Sequence, residues 1–325
     1  MLRDSYIDAL KGLAILLVFL SHVLQLSLLD YQSNIYFKLI VVFNMPLFMF
    51  LSGYVLYVNK PVYSINWVKR KFQRLIIPFF AWIIIFYYAS NFSFTGLKAF
   101  HDYSGSLMDS IIRVVMYPGN GLWFLWVLFI FYVMVAGATI SGKPYLVWVC
   151  ILLTVVALTV IQFDLFGINY IRMHLIFFVS GYIFSMYRVD IDSYLKSGVI
   201  SKMFYVGIPF ISSSYAHKVA NFAFTFAYNI LLSFVGIAVT LISVKVISAR
   251  IPKIQRSLAW IGGITLEIYA THLLFMNTGF GTGYVKVVST GIIALVASLI
   301  FIRLIKKFGF LDVVLFGAKR YSGHR

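Results

Sequence analysis

Charge is the scarcest ingredient of this sequence. Only 11% of its 325 residues are Asp, Glu, Lys or Arg, just ten are acidic, and Glu267 is the one glutamate. A soluble domain carries about a quarter charged residues, so a soluble globular enzyme is excluded. A disordered chain is excluded as well, because it would be poor in apolar residues, and no fibrous repeat is present. Cysteine occurs once, at Cys150 within an apolar stretch, which rules out an intrachain disulfide. The six histidines are scattered without ligand spacing, so no metal site is expected. What fills the chain instead is apolar: 62% of residues are hydrophobic and 18% aromatic. Such a chain is expected to be a polytopic membrane protein, at roughly 20 apolar residues per span.

The sequence predicts an all-α polytopic membrane protein with about ten transmembrane helices. Apolar runs fall near 9–29, 36–57, 76–95, 120–139, 144–163, 169–187, 203–216, 219–244, 257–276 and 287–305. Helices are required because a lipid-exposed backbone must satisfy its own hydrogen bonds, and the alternation of a β-barrel is missing. The net charge of +17 comes from 27 basic residues that lie between the runs. In a soluble protein that would suggest nucleic acid; here it is a topology signal, and no nucleic-acid partner is expected. With both termini cytoplasmic, 21 Lys and Arg fall inside and only Lys38, Lys98, Arg113, Arg172, Lys218 and Lys286 outside, as the positive-inside rule demands. The first run lacks a small-residue cleavage site and opens with Asp8 and Lys11, so it reads as a retained span rather than a signal peptide. The reading leaves one membrane-embedded domain over 1–325, core helices about 9–305, a short basic tail 306–325 and no appended soluble domain. The longest outer loop is placed at 96–119 and the longest inner connections at 58–75 and 188–202. Phe48–Tyr54 and Ile176–Tyr182 form a near-repeat, each ending in Ser-Gly-Tyr, and small residues on membrane helices usually mean close packing.

Ionisable groups inside a bilayer are costly and therefore functional candidates. Lys11 and His22 are eleven residues apart, which places them within about 20° of one helix face and about 16 Å apart along it. Asp8 precedes Lys11 by three residues and can pair with it. Two readings stay open at this level: interfacial anchors with a packing histidine, or a cation at the cytoplasmic mouth below a deep imidazole.

The segment Asp8-Ala9-Leu10-Lys11-Gly12-Leu13-Ala14-Ile15-Leu16-Leu17-Val18, followed by His22, resembles the opening helix of the acyltransferase-3 family of membrane acyltransferases. That family has a basic residue, usually arginine, eleven positions before an essential histidine; lysine here is a departure some members share, and it keeps the charge but loses bidentate geometry. Further matches follow in family order: Phe50-Leu51-Ser52-Gly53-Tyr54; Lys71-Phe72-Gln73-Arg74 with Pro78 after it; Leu122-Trp123-Phe124-Leu125; Phe177-Phe178-Val179-Ser180-Gly181; and Ile261 to Tyr269 with His272 beyond.

The resemblance implies an O-acyltransferase, most simply an acetyltransferase. It would take acetyl-CoA (acyl-CoA) as donor substrate from the cytoplasm, with no permanently bound cofactor. The acceptor would be a glycan or undecaprenyl-linked glycan precursor of a cell-surface polysaccharide such as the O-antigen of lipopolysaccharide. His22 would serve as general base or as a transient acyl carrier. Lys11 and the cluster Lys69, Arg70, Lys71 and Arg74 would bind the phosphates of acyl-CoA, a role compatible with anchoring topology. Glu267, counted about ten residues into its helix, would share the depth of His22 and tune it. Trp123, Arg172, His174, Tyr269 and His272 would meet the acceptor, although aromatic residues also favour membrane interfaces for their own reasons. The expected location is the bacterial cytoplasmic (inner) membrane, with membrane lipids as neighbours and either a monomer or a homodimer allowed. A transporter or flippase of a lipid-linked sugar is the alternative, and it would need no CoA site. A member of the other large membrane acyltransferase family fits the motif order less well.

Overall fold

A computed structural model describes residues 5–59, 63–99, 103, 105–119, 122–140, 165–187 and 222–318. The runs expected near 144–163 and 203–216, the connection 188–202, His101, Asp102, Cys150 and the end of the tail from 319 lie outside the described residues. Among the described residues there is no strand, and eleven α-helices occur. In chain order they are α1 (Ser5–Ser27), α2 (Ile35–Val58), α3 (Ile65–Ala89), α4 (Leu107–Met116), α5 (Trp123–Ile140), α6 (Ile168–Met186), α7 (Phe222–Arg250), α8 (Pro252–Gly262), α9 (Thr265–Thr271), α10 (Gly283–Lys306) and α11 (Gly309–Phe316). Among the described residues, five helices are long and apolar enough to cross a membrane: α1, α2, α3, α10 and the Tyr228–Arg250 part of α7. A sixth span results if the bent pair α8 plus Thr265–Phe275 counts as one.

Four local outcomes differ from the sequence expectation. Helix α3 begins eleven residues before the apolar run, because Ser64 accepts from the Trp67 N–H and caps the helix ahead of its basic turns. The charged stretch read as part of a connection is therefore helical from Ile65. The run 257–276 is not one straight helix: it stops at Gly262, turns by 64°, and resumes at Thr265. Two adjacent glycines, Gly262 and Gly263, occupy that break, as expected of a sharp bend. The loop 96–119 contains a 3-10 turn at Gly96–Ala99 and the helix α4, which is closed by a capping box between Ser106 and Asp109. The tail opens with the helix α11.

The chain forms two compact units, Met1–Asn59 with Phe177–Thr265, and Lys60–Ile176 with Leu266–Arg325. In the first unit α1 packs against α2, α7 and α8, and α2 against α7. Ala9, Leu10, Ala14, Ile15, Val18 and Val23 of α1 are buried, on several sides of the helix. Two backbone crossings set its geometry. A Cβ on Gly12 would stand 2.8 Å from the Leu258 carbonyl carbon, and one on Gly262 would stand 2.7 Å from that of Asp8. The near-repeat makes the second crossing: a Cβ on Gly53 would lie 2.8 Å from the Phe178 carbonyl carbon, and one on Gly181 would lie 2.7 Å from that of Phe50. Each glycine therefore rests on the main chain of the helix that carries its counterpart, the close approach that small residues permit in membrane bundles. Around the second crossing Phe50 and Tyr54 pack on Phe184, and Tyr57 on Tyr182.

In the second unit α3 is the spine, packed by α4, α5 and α11, while α10 packs on α11 and on the 3-10 turn His272–Phe275. Phe79, Trp82, Ile83 and Phe86 of α3 are fully buried. The Trp82 indole N–H donates to the Leu315 carbonyl oxygen at 2.8 Å, and its ring packs on Phe86 and Phe316, which fastens α11 to α3.

Candidate active site

Helix α1 runs unbroken from Ser5 to Ser27, so Lys11 and His22 do share one face of a continuous helix. Lys11 Nζ lies 3.4 Å from Asp8 Oδ1, the pair anticipated from their spacing. Asp8 is almost wholly buried, and the Gly12–Gly262 crossing immediately follows Lys11. This cation is therefore placed by main-chain contact between α1 and α8. His22 is half-buried, with Nδ1 3.2 Å from Gln25 Oε1 one turn on. Next to it, Ser21 Oγ donates to the Val18 carbonyl at 2.7 Å and accepts from Asn44 Nδ2 at 3.2 Å, so a buried polar contact ties α1 to α2 beside the imidazole. The sequence reading missed Gln25, Ser21 and Asn44. The i, i+3 spacing of His22 and Gln25 was visible, but nothing in the sequence pairs Asn44 with Ser21.

The remaining candidates lie in the second unit. On α3, Lys69, Arg70 and Arg74 are exposed, whereas Lys71 is half-buried. Its Nζ sits 3.9 Å from the centroid of Tyr132 on α5 and 5.2 Å from that of Trp67 on its own helix. Trp123 opens α5 and stacks on Tyr170 at 4.4 Å with an interplanar angle of 14°, and His174 tilts against the same indole at 4.8 Å. The His174 Nδ1 lies 2.9 Å from the Tyr170 carbonyl oxygen. A carbonyl only accepts, so Nδ1 carries the proton and the Nε2 lone pair is the acceptor in the neutral ring. Tyr170, four residues before His174 and hence on the same helix face, was not among the sequence candidates. Arg172 donates to Asn169 Oδ1 at 2.7 Å.

Tyr269 is buried and its hydroxyl accepts from the Phe124 N–H at 3.3 Å, satisfying a backbone donor in the first turn of α5, where Trp123 sits. His272 is fully buried at the change from α9 to a 3-10 turn, with Nδ1 2.7 Å from the Tyr269 carbonyl oxygen. The structure thus gathers Trp123, Tyr170 and His174 into one aromatic group, and ties Tyr269 to the start of the helix that carries it. Glu267 is held differently from the sequence expectation. Its Oε1 lies 2.6 Å from Lys306 Nζ, the last residue of α10. Counting its depth along one straight helix from residue 257 fails, because the helix bends before Thr265.

Fold and side chains together define an all-helical membrane protein with ionisable groups on its apolar helices and an aromatic cluster at the start of α5. Comparison places it further: the chain matches the acyltransferase-3 family, described as an acyltransferase domain, over residues 4–316. It belongs to that family. It is similar to the nodulation protein NolL of Sinorhizobium fredii (strain NBRC 101917 / NGR234), 34% identical over 134 residues, covering 38% of this chain and 33% of the relative. It is also similar to the nodulation protein NolL of Mesorhizobium japonicum (strain LMG 29417 / CECT 9101 / MAFF 303099), 28% identical over 149 residues, covering 43% of this chain and 37% of the relative. The matched region spans about a third of the length of these curated relatives. No solved structure matches the chain.

Proposed function

We propose that the protein is an integral membrane O-acyltransferase. It transfers an acetyl group from cytoplasmic acetyl-CoA to a hydroxyl of a cell-surface polysaccharide or of its lipid-linked precursor. The observation that carries this reading is the family match over residues 4–316, which includes the Lys11–His22 face of α1. The proposed setting is the bacterial inner membrane, with ten spans and both termini in the cytoplasm. The basic residues of α3 and Lys11 bind donor phosphates, while Trp123, Arg172, His174, Tyr269 and His272 form the acceptor side.

In the proposed chemistry His22 takes the proton of the acceptor hydroxyl as that oxygen attacks the thioester carbonyl carbon. The tetrahedral intermediate collapses with loss of the coenzyme A thiolate, and the imidazolium returns its proton to that sulfur. The alternative order, in which His22 first carries the acyl group, produces the same ester and the same thiol. Glu267 enters as a residue that sets the local charge balance together with Lys306. A direct test measures transfer of label from [14C]acetyl-CoA to extractable glycan in membranes that contain the protein. Wild type should form a labelled ester, and His22→Ala should form none at equal abundance in the membrane. Full transfer by a normally inserted His22→Ala protein defeats the catalytic assignment. Movement of label or lipid-linked sugar without ester formation would point to a transporter instead.

A further inference from the structure

We propose that Trp67 and Tyr132 are positioning residues for the acyl donor: their rings clamp the Lys71 ammonium so that Lys71 and Arg74 offer a two-cation seat to a phosphate of coenzyme A. This inference rests on the donor assignment made above. Trp67, Lys71 and Arg74 follow one another at i, i+4 and i+7, so α3 presents them along a single stripe. Lys69 and Arg70 fall off that stripe, and both, like Arg74 at its far end, are exposed. A basic residue that served only to anchor the helix would run out to water in the same way. Lys71 instead turns onto two aromatic faces, 3.9 Å from Tyr132 and 5.2 Å from Trp67. The two rings meet edge to face at 5.8 Å, so they form one fixed corner rather than two independent contacts. Trp67 is itself buried, and Tyr63 also packs against its ring.

A ring face attracts a cation through its quadrupole and contributes no lone-pair acceptor. Such a corner fixes where the charge sits without dictating which oxygen its N–H groups meet. It also removes much of the rotamer freedom that a free lysine would lose on gripping a ligand.

The test is equilibrium binding of coenzyme A to purified full-length protein in nanodiscs. Tyr132→Leu should weaken binding about fivefold to tenfold, the range expected for a partly desolvated cation–π contact. Tyr132→Phe keeps the ring face and should restore binding to within about twofold of wild type. In a Lys71→Met background, Tyr132→Leu should cost nothing further, because the ring acts through that ammonium. In the transfer assay the defect should fall on KM for acetyl-CoA rather than on kcat. Trp67→Leu, run through the same cycle, serves if Tyr132→Leu does not assemble. Wild-type affinity in an assembled Tyr132→Leu protein, or full additivity with Lys71→Met, overturns the clamp while leaving the donor assignment intact. A wild-type protein that binds no coenzyme A overturns the donor assignment and the clamp with it.

Discussion

Replacing Gly53 by alanine tests the backbone crossing of α2 and α6 with a single methyl group. That methyl carbon would lie 2.8 Å from the Phe178 carbonyl carbon and 3.0 Å from the Tyr182 nitrogen. Non-bonded carbon atoms prefer about 3.5–4.0 Å, so the helices must part by roughly 0.7 Å or more. The obstacle is main chain and cannot rotate away. Parting also loosens the reciprocal contact at Gly181. Overpacking of this kind costs about 1–3 kcal/mol. The expected loss is about 1–3 kcal/mol, read as a fall of at least about 2 °C in the thermal midpoint of detergent-purified protein followed by size-exclusion retention. Gly137→Ala is the matched control, since nothing among the described residues lies within 4 Å of a Cβ there, and the added methyl should stabilise the helix by up to about 1 kcal/mol. Equal midpoints for Gly53→Ala and Gly137→Ala would refute the reasoning.

Three further outcomes follow from single contacts. Trp82→Phe keeps the buried ring but leaves the Leu315 carbonyl without its indole donor; a loss of about 1–3 kcal/mol should appear as faster proteolysis or hydrogen exchange of α11. Lys306→Met removes the partner of the largely buried Glu267 carboxylate, and the double variant with Glu267→Gln should recover stability toward wild type; a double variant less stable than Lys306→Met would contradict the pairing. Hydrogen bonds from the Ser106 hydroxyl and backbone hold the exposed Asp109 carboxyl below its ordinary aspartate range. Because its folded pKa is depressed, the cap of α4 is at full strength above the ordinary range and weakens as pH falls through the lowered value; protection of the α4 amides, relative to their intrinsic exchange rates, should fall in acid, and Asp109→Asn should flatten that fall.

The sequence made α1 legible because its apolar run, its pair of ions and its uninterrupted length all agree. Helix α3 was only half legible: hydropathy sees the membrane, whereas Ser64 and the basic turns after it continue the helix beyond the apolar run. The bend at Gly262 and Gly263 was written in the two glycines, yet an apolar window reads across such a break. Among the candidate residues, the Asp8–Lys11 pair followed from helical spacing. Partners on other helices did not: Asn44 with Ser21, Tyr132 with Lys71 and Lys306 with Glu267 each join two different helices, and periodicity along one helix carries no information about its neighbours.

The Gly12–Gly262 crossing acts as a fixed stop for the first helix. Because Lys11 is the residue just before the stop, its height is a property of the polypeptide itself, and side-chain changes elsewhere on α1 cannot slide it up or down. Suppressor mutations that trim a neighbouring side chain should therefore never rescue a bulkier residue at position 12; only a shift of the whole α8 segment could.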